Sequence, residues 1–199
     1  GLSWHDPAIW GSRWTSTASF TDSDDGSGWA LGLERPFYEL DARWSAGLSA
    51  ASLSQVENRY ALGTRVDSWR ADRQAFDIHR GWSSGLRGDW TRRWTAGFRY
   101  DRARFAPADT ALVGPLPDDR TLALPYMRLD LLQDDYVTAH NLDQIGRTED
   151  LRFGTQLSAE LGVSQAALGA NRNAFVASLG ASRGYRLVHE QSLFLAGSW

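Results

Sequence analysis

The sequence predicts an all-β fold, an antiparallel up-and-down transmembrane β-barrel with about ten strands in view. Three observations predict it. The stretch Trp90–Arg102 (WTRRWTAGFRYDR) splits into two faces when every second residue is read. Trp90, Arg92, Trp94, Ala96, Phe98 and Tyr100 fall on one side, and Thr91, Arg93, Thr95, Gly97, Arg99 and Asp101 on the other, as side chains of a strand do. The same two-faced unit recurs between turn signals along the chain. The aromatic residues gather near the strand ends. Ten steps at about 3.3 Å, tilted roughly 40°, give about 25 Å along a barrel axis, the height of a lipid-facing band.

In chain order, Leu2–His5 reads as the tail of a strand, broken by Asp6-Pro7-Ala8. Ser12–Thr21 alternates, Asp22–Gly28 (DSDDGSG) turns, and Trp29, Leu31 and Leu33 begin the return. Arg35–Leu40 is a short aromatic connection. Asp41–Leu53 sets Ala42, Trp44, Ala46, Leu48 and Ala50 against Asp41, Arg43, Ser45, Gly47 and Ser49. Glu57–Trp69 either extends two long strands or forms a loop. Gln74–Trp82 alternates, and Ser84–Asp89 is a tight turn. Ala106–Asp119 holds three of the six prolines and reads as the longest loop. Arg120–Leu132 is a strand interrupted at Pro125. A short strand from Tyr136 and a polar loop Asn141–Glu149 follow. The next strand places Leu151, Phe153, Leu157, Ala159 and Leu161 opposite Asp150, Arg152, Gln156, Ser158 and Glu160. Gly162–Asn173 turns the chain, Ala174–Arg186 goes out and Ser192–Trp199 returns.

The connections are expected to alternate between short and longer ones. Trp10, Trp14, Phe37, Tyr38, Trp44, Trp82, Trp90 and Trp94 lie beside the short ones, and Phe20, Trp29, Phe98, Tyr100 and Phe105 toward the longer. Two aromatic belts are what two membrane interfaces select. A soluble β-sandwich or lipocalin-like barrel also alternates. Its interior would need more bulk than these Ala- and Leu-rich faces supply, whereas Arg, Asp, Ser and Gly suit a lumen.

Composition narrows the classes. With 42% hydrophobic residues, mean hydropathy −0.42 and no long apolar run, the chain is not a bundle of membrane helices. A barrel escapes such averages because its lumen face dilutes its lipid face. There is no Cys, which excludes disulfides and Cys-ligated metals. All 21 basic residues are Arg, a planar and always-charged group suited to ion-pair networks. A net charge of −3 is too small to imply a nucleic-acid partner. The 199 residues are expected to form a single barrel domain, and the opening at Gly1-Leu2-Ser3-Trp4, already strand-like, suggests a mature form or a fragment.

Leu2–Gly11 (LSWHDPAIWG) resembles the strand and aspartate–aromatic–glycine turn near the start of bacterial surface-antigen barrels. Arg35–Asp41 (RPFYELD) is similar to the aromatic turn of their next hairpin, and Asp135–Gly154 to a stretch of short members. That superfamily includes outer-membrane assembly insertases and two-partner-secretion transporters. Its barrels have sixteen strands, so the resemblance implies a partial or shortened barrel here. It further implies an outer-membrane location, contact with lipid and lipopolysaccharide, and unfolded protein clients. The implied role is insertion or translocation of other proteins, with no bond chemistry. A small passive pore or structural barrel is the alternative, and an outer-membrane hydrolase the third reading. The family's Arg-Gly-aromatic loop tip has its nearest match at Arg183-Gly184-Tyr185, inside an alternating strand.

The sequence nominates no catalytic, cofactor-binding or metal-ligating residue, although several patterns invite one. Gly81-Trp82-Ser83-Ser84-Gly85 matches G-x-S-x-G, but strand follows strand where the nucleophile elbow needs a helix. Arg87-Gly88-Asp89 spells an adhesion tripeptide within a turn. Asp22, Asp24, Asp25 and Gly26 suggest calcium, yet Leu33 stands where the bidentate Glu belongs. His5, His79, His140 and His189 lack ligand spacing. Asp134, Asp135, Glu149 and Asp150 offer carboxylate pairs with no nucleophile. Arg43, Arg93, Arg99, Asp101, Arg152 and Glu160 are expected to meet as ion pairs in the lumen.

Overall fold

The computed structural model describes residues 1–108, 115–140, 148–186 and 192–198. The strands are β1 (Leu2–Asp6), β2 (Thr15–Ser23), β3 (Gly26–Arg35), β4 (Trp44–Ala61), β5 (Thr64–Arg87), β6 (Trp90–Pro107), β7 (Arg120–Gln133), β8 (Tyr136–His140), β9 (Thr148–Arg152), β10 (Gln156–Ser164), β11 (Ala174–Arg186) and β12 (Ser192–Ser198). Ten of them form one antiparallel up-and-down sheet in the order β1-β2-β3-β4-β5-β6-β7-β10-β11-β12. β8 and β9 pair separately as a hairpin. The sheet is open: among the described residues β1 and β12 are its two edges.

Alternation along each strand is matched across strands, so the sheet has one apolar and one ionic face. Leu33, Leu48, Ile78 and Phe98 form one apolar row, and Trp44, Trp82 and Trp94 another. The Trp82 row lies toward the end of the sheet where β5 meets β6. Toward the other end, Phe20, Trp29, Ser52 and Gln74 are register partners. Gln74 and Trp82 are eight residues apart, about 20 Å along a tilted axis. Burial is inverted relative to a water-soluble sheet. Leu31, Leu48, Ile78, Leu161 and Leu179 are exposed, while Ala71, Thr91, Leu124 and Tyr126 on the opposite face are buried. The sheet therefore curls around its polar side.

Three expectations are corrected and one left open, Glu57–Trp69, is resolved. The connections do not alternate in length. Two-residue turns at Asp24-Asp25 and Leu62-Gly63 sit at the end of the sheet opposite Trp82, and the connection carrying β8 and β9 sits at the Trp82 end. Glu57–Trp69 is the tip of two long strands, extending beyond the last β3 partner at Gln55. β7 is not interrupted at Pro125: it runs through, because the pairing with β10 already stops at Tyr126 and a missing N–H there costs no ladder bond on that side. The strand expected over Asp150–Leu161 is broken at Phe153-Gly154-Thr155, where the N–H groups of Phe153 and Gly154 both donate to the Asp135 carbonyl at 2.8 and 2.9 Å. Phe153 thus leaves the apolar parity and is buried.

The projecting hairpin has its own ionic tie. Glu57 accepts hydrogen bonds from Gln55 Nε2 and Trp69 Nε1, both at 3.1 Å, and pairs with Arg73 at 2.6 Å. Burial alone would raise its pKa, but the bonds from Arg73, Gln55 and Trp69 together hold it below the ordinary 4.5. A depressed carboxylate stabilises the fold above its unfolded pKa and loses that contribution as pH falls through the folded value. Amide protection in the 55–73 hairpin is therefore expected to fall below about pH 4. In Glu57→Gln it should be weaker at pH 7 and flat with pH, and a wild-type-like pH profile in that variant would refute the assignment.

Candidate functional site

The ionic face is built from the alternate residues of β4 to β10, and its centre is Arg99. Arg99 Nε donates to Asp77 Oδ2 at 3.3 Å on the neighbouring strand, and Nη1 to Glu160 Oε1 at 2.9 Å across the whole of β7. Asp77 also accepts from the Tyr126 hydroxyl at 3.2 Å and lies 3.0 Å from His79 Nδ1. The Arg99 guanidinium sits 4.7 Å above the Tyr126 ring. Four strands, β5, β6, β7 and β10, are thereby tied through side chains as well as backbone.

Small residues make this network fit. Tyr126 lies over Gly97, its register partner, where a Cβ would stand 2.6 Å from the ring and hydroxyl. His79 covers Gly47 on β4 in the same way. A side chain at either position would displace the group that reaches Asp77, since packed interiors do not absorb an extra carbon.

Further pairs fill the same face. Arg120 Nη2 donates to Asp101 Oδ1 at 2.7 Å, and Arg128 clasps Asp130 through Nε at 3.0 Å and Nη2 at 2.8 Å. At the Trp82 end, the connection from Pro36 to Arg43 folds under the sheet. Phe37 packs on Gly81 and beneath Arg93. The Thr91 hydroxyl donates to the Leu40 carbonyl at 3.1 Å, and Arg93 Nη2 to the Glu39 carbonyl at 3.0 Å. Arg43 pairs with Asp41 at 3.6 Å and donates to the Ser84 carbonyl. Phe37 is thus a correction to the expected belt: it plugs the ionic face. Tyr38, in contrast, is exposed and stacks with Arg13 at 3.7 Å and Arg35 at 5.1 Å.

Arg43, Arg93, Arg99, Asp101 and Glu160 therefore share one face as expected, all in polar contacts, and Arg152 has no described side chain. Asp77, Tyr126, Arg128 and Asp130 were missed as network members. Their parity was legible, but the register that brings them together was not.

The other patterns are placed as follows. Ser83 Oγ donates to the Arg92 carbonyl and accepts from the Gly85 N–H, both at 2.9 Å, so it staples a bulge in a continuing strand. Gly88 takes φ 58° in the two-residue turn of Arg87-Gly88-Asp89. Asp24 and Asp25 form a hairpin turn whose Asp25 carbonyl accepts the Val56 N–H at 2.7 Å. Among the described residues no group of three His, Asp or Glu could hold a metal. His5 and His79 stand on different strands, the side chain of His140 is not described, and His189 lies outside the described residues. Asp134 N–H donates to the Asp89 carbonyl at 2.8 Å, and the side chains of Glu149 and Asp150 are not described. Arg183-Gly184-Tyr185 is part of β11; Gly184 is where Phe153 packs, with a Cβ there 2.8 Å from the ring, and its N–H donates to the Phe153 carbonyl at 3.1 Å. Comparison of this chain with protein-family models, curated proteins and solved structures finds no match.

Proposed function

We propose that this chain forms the wall of a membrane-spanning barrel of the bacterial outer membrane and takes part in inserting or passing other proteins. The observation that carries the first half is the inverted burial: large apolar side chains exposed on one face, paired and partly buried ions on the other. A patch of that extent in water would drive association, whereas lipid satisfies it. The aromatic rows at either end of the apolar face support the same reading.

The second half rests on the resemblance and on the sheet edges. Among the described residues, β1 and β12 each leave a row of backbone N–H and C=O groups without a partner strand. In lipid such groups cost several kcal/mol each, so they require closure, further strands, a second copy or a client segment. Pairing with a client strand is the step the resemblance implies. The ion pairs and Phe37 occupy the polar side, which disfavours a wide passive pore.

The test is refolding into phospholipid vesicles, followed by two assays. A heat-modifiable, protease-protected form is expected, with acceleration of the folding of a second barrel protein added to the same vesicles. Unchanged client folding together with steady conductance in planar bilayers would move the role to a passive pore. Solubility and β-structure in water without folding in lipid would overturn the membrane reading altogether.

A further inference from the structure

The apolar face is not purely apolar at the Trp82 end. Arg35, Arg80, Arg87 and Arg92 all stand there. Arg35 is accounted for, stacked 3.7 Å over Trp44 and donating to its carbonyl. Arg80, Arg87 and Arg92 are exposed and, among the described residues, have neither a carboxylate in ion-pair range nor a side-chain hydrogen bond.

Arg87 arrives on this face through a defect in the sheet. Ser83 pairs with Arg93, but the next pair is Leu86 with Thr91, so β5 carries one extra residue there. Gly85 absorbs the kink at φ 73°. One inserted residue reverses parity, and Arg87, of the same odd parity as Asp77 and His79, comes round opposite Trp90 on the apolar side. Arg87 and Arg92 are then diagonal neighbours, about 7–8 Å apart along the backbone.

Beneath them lies a groove. Ser84, Arg87, Trp90 and Arg92 line one end of a cleft of about 410 Å³ floored by Leu131 and Leu157. The same two leucines open a second cleft of about 400 Å³ that continues between Leu129, Ala159 and Leu179. The register explains the furrow: Leu129, Ala159 and Leu179 share one row, so Ala159 leaves a gap between two leucines, and in the next row Leu131 and Leu157 are followed by small Ala181 and Gly197.

We propose that this groove binds a phospholipid with a net-negative headgroup, its phosphate held by Arg87 and Arg92 and an acyl chain laid along the leucine furrow. The proposal rests on the membrane reading above. Two adjacent guanidiniums without a carboxylate repel each other unless an anion sits between them, and less water sharpens that need. A guanidinium fork matches phosphate oxygens in pairs. Trp90 adds an indole N–H that has no acceptor among the described residues, on a ring suited to headgroup depth. A free anion would use the arginines but leave the apolar furrow empty, so the lipid is the occupant that satisfies both ends.

The experiment is native mass spectrometry of the refolded protein, offered phosphatidylglycerol and phosphatidylcholine in equal amounts. Insertion into vesicles of each lipid is followed separately by heat-modifiable gel mobility. Two interfacial arginines, at about 1 kcal/mol each, predict about a thirtyfold preference for phosphatidylglycerol. The double variant Arg87→Gln, Arg92→Gln should fall to within about twofold, while Arg102→Gln, at the other end of β6, keeps the preference. Normal insertion with no preference, or with one that survives the double substitution, overturns the lipid site and leaves the membrane reading intact. Displacement of bound phosphatidylglycerol by millimolar inorganic phosphate overturns it in favour of a free-anion site. Failure to insert into either vesicle overturns both.

Discussion

If the apolar face meets lipid as proposed, Ile78→Arg is expected to destabilise the protein in phospholipid vesicles by about 2–4 kcal/mol, the cost of a guanidinium at the middle of such a wall. Ile78 is 48% exposed and stands four residues from Trp82 and four from Gln74, midway between the two aromatic rows. Its register partners Leu48 and Phe98 offer no carboxylate. Equilibrium unfolding from vesicles by denaturant gives the comparison. If the face met water instead, a polar substitution at such an exposed site would stay within about 0.5 kcal/mol. An unchanged midpoint in the variant would therefore sink the lipid-facing assignment. Arg80, one step along β5 on the same side, is no counterexample, since its stem can carry the charge past Trp82 toward the headgroups.

Arg99→Met should cost about 2–3 kcal/mol in the same measurement. Removing one partner of a fully buried ion pair costs roughly 3–5 kcal/mol because the other charge is stranded. Here the arginine side chain is 42% exposed, against 21% for Asp77 and 16% for Glu160, so water relieves part of that penalty. Arg99→Lys is expected to fall between, since an ammonium cannot fork to two carboxylates on different strands. Asp77 retains His79 and Tyr126 in the variant, whereas Glu160 loses the 2.9 Å bond that spans β7. The damage should therefore concentrate at the β7–β10 pairing, read as faster amide exchange in residues 156–162. Exchange and midpoint both equal to wild type would mean that the network is incidental to the wall.

The all-β, antiparallel up-and-down class and the two faces were legible because alternation is local, whereas closure into a barrel is not seen in the ten-stranded sheet of the described residues. A strand places neighbours on opposite sides whatever lies next to it, so Trp90–Arg102 and Asp41–Leu53 declared their parity without help. Local reading failed where one residue changed the count or a connection changed direction. The bulge at Ser83–Leu86 turned Arg87 to the apolar side. The break at Phe153–Thr155 took Phe153 off its predicted face and seated it on Gly184. The connection after Pro36 tucked Phe37 under Arg93 rather than setting it in a belt.

By itself, then, the sequence determined that each strand is two-faced and which side of it is apolar, since that depends only on backbone geometry and hydrophobicity. Tertiary structure decided the register, and that β10 rather than β8 lies beside β7. Only that brings Arg99 to Glu160 across β7, lays Tyr126 on Gly97, and sets Arg87 and Arg92 side by side at the head of a leucine furrow. Those contacts join residues 29 to 70 positions apart, and no period of two can encode which distant partner a side chain will meet.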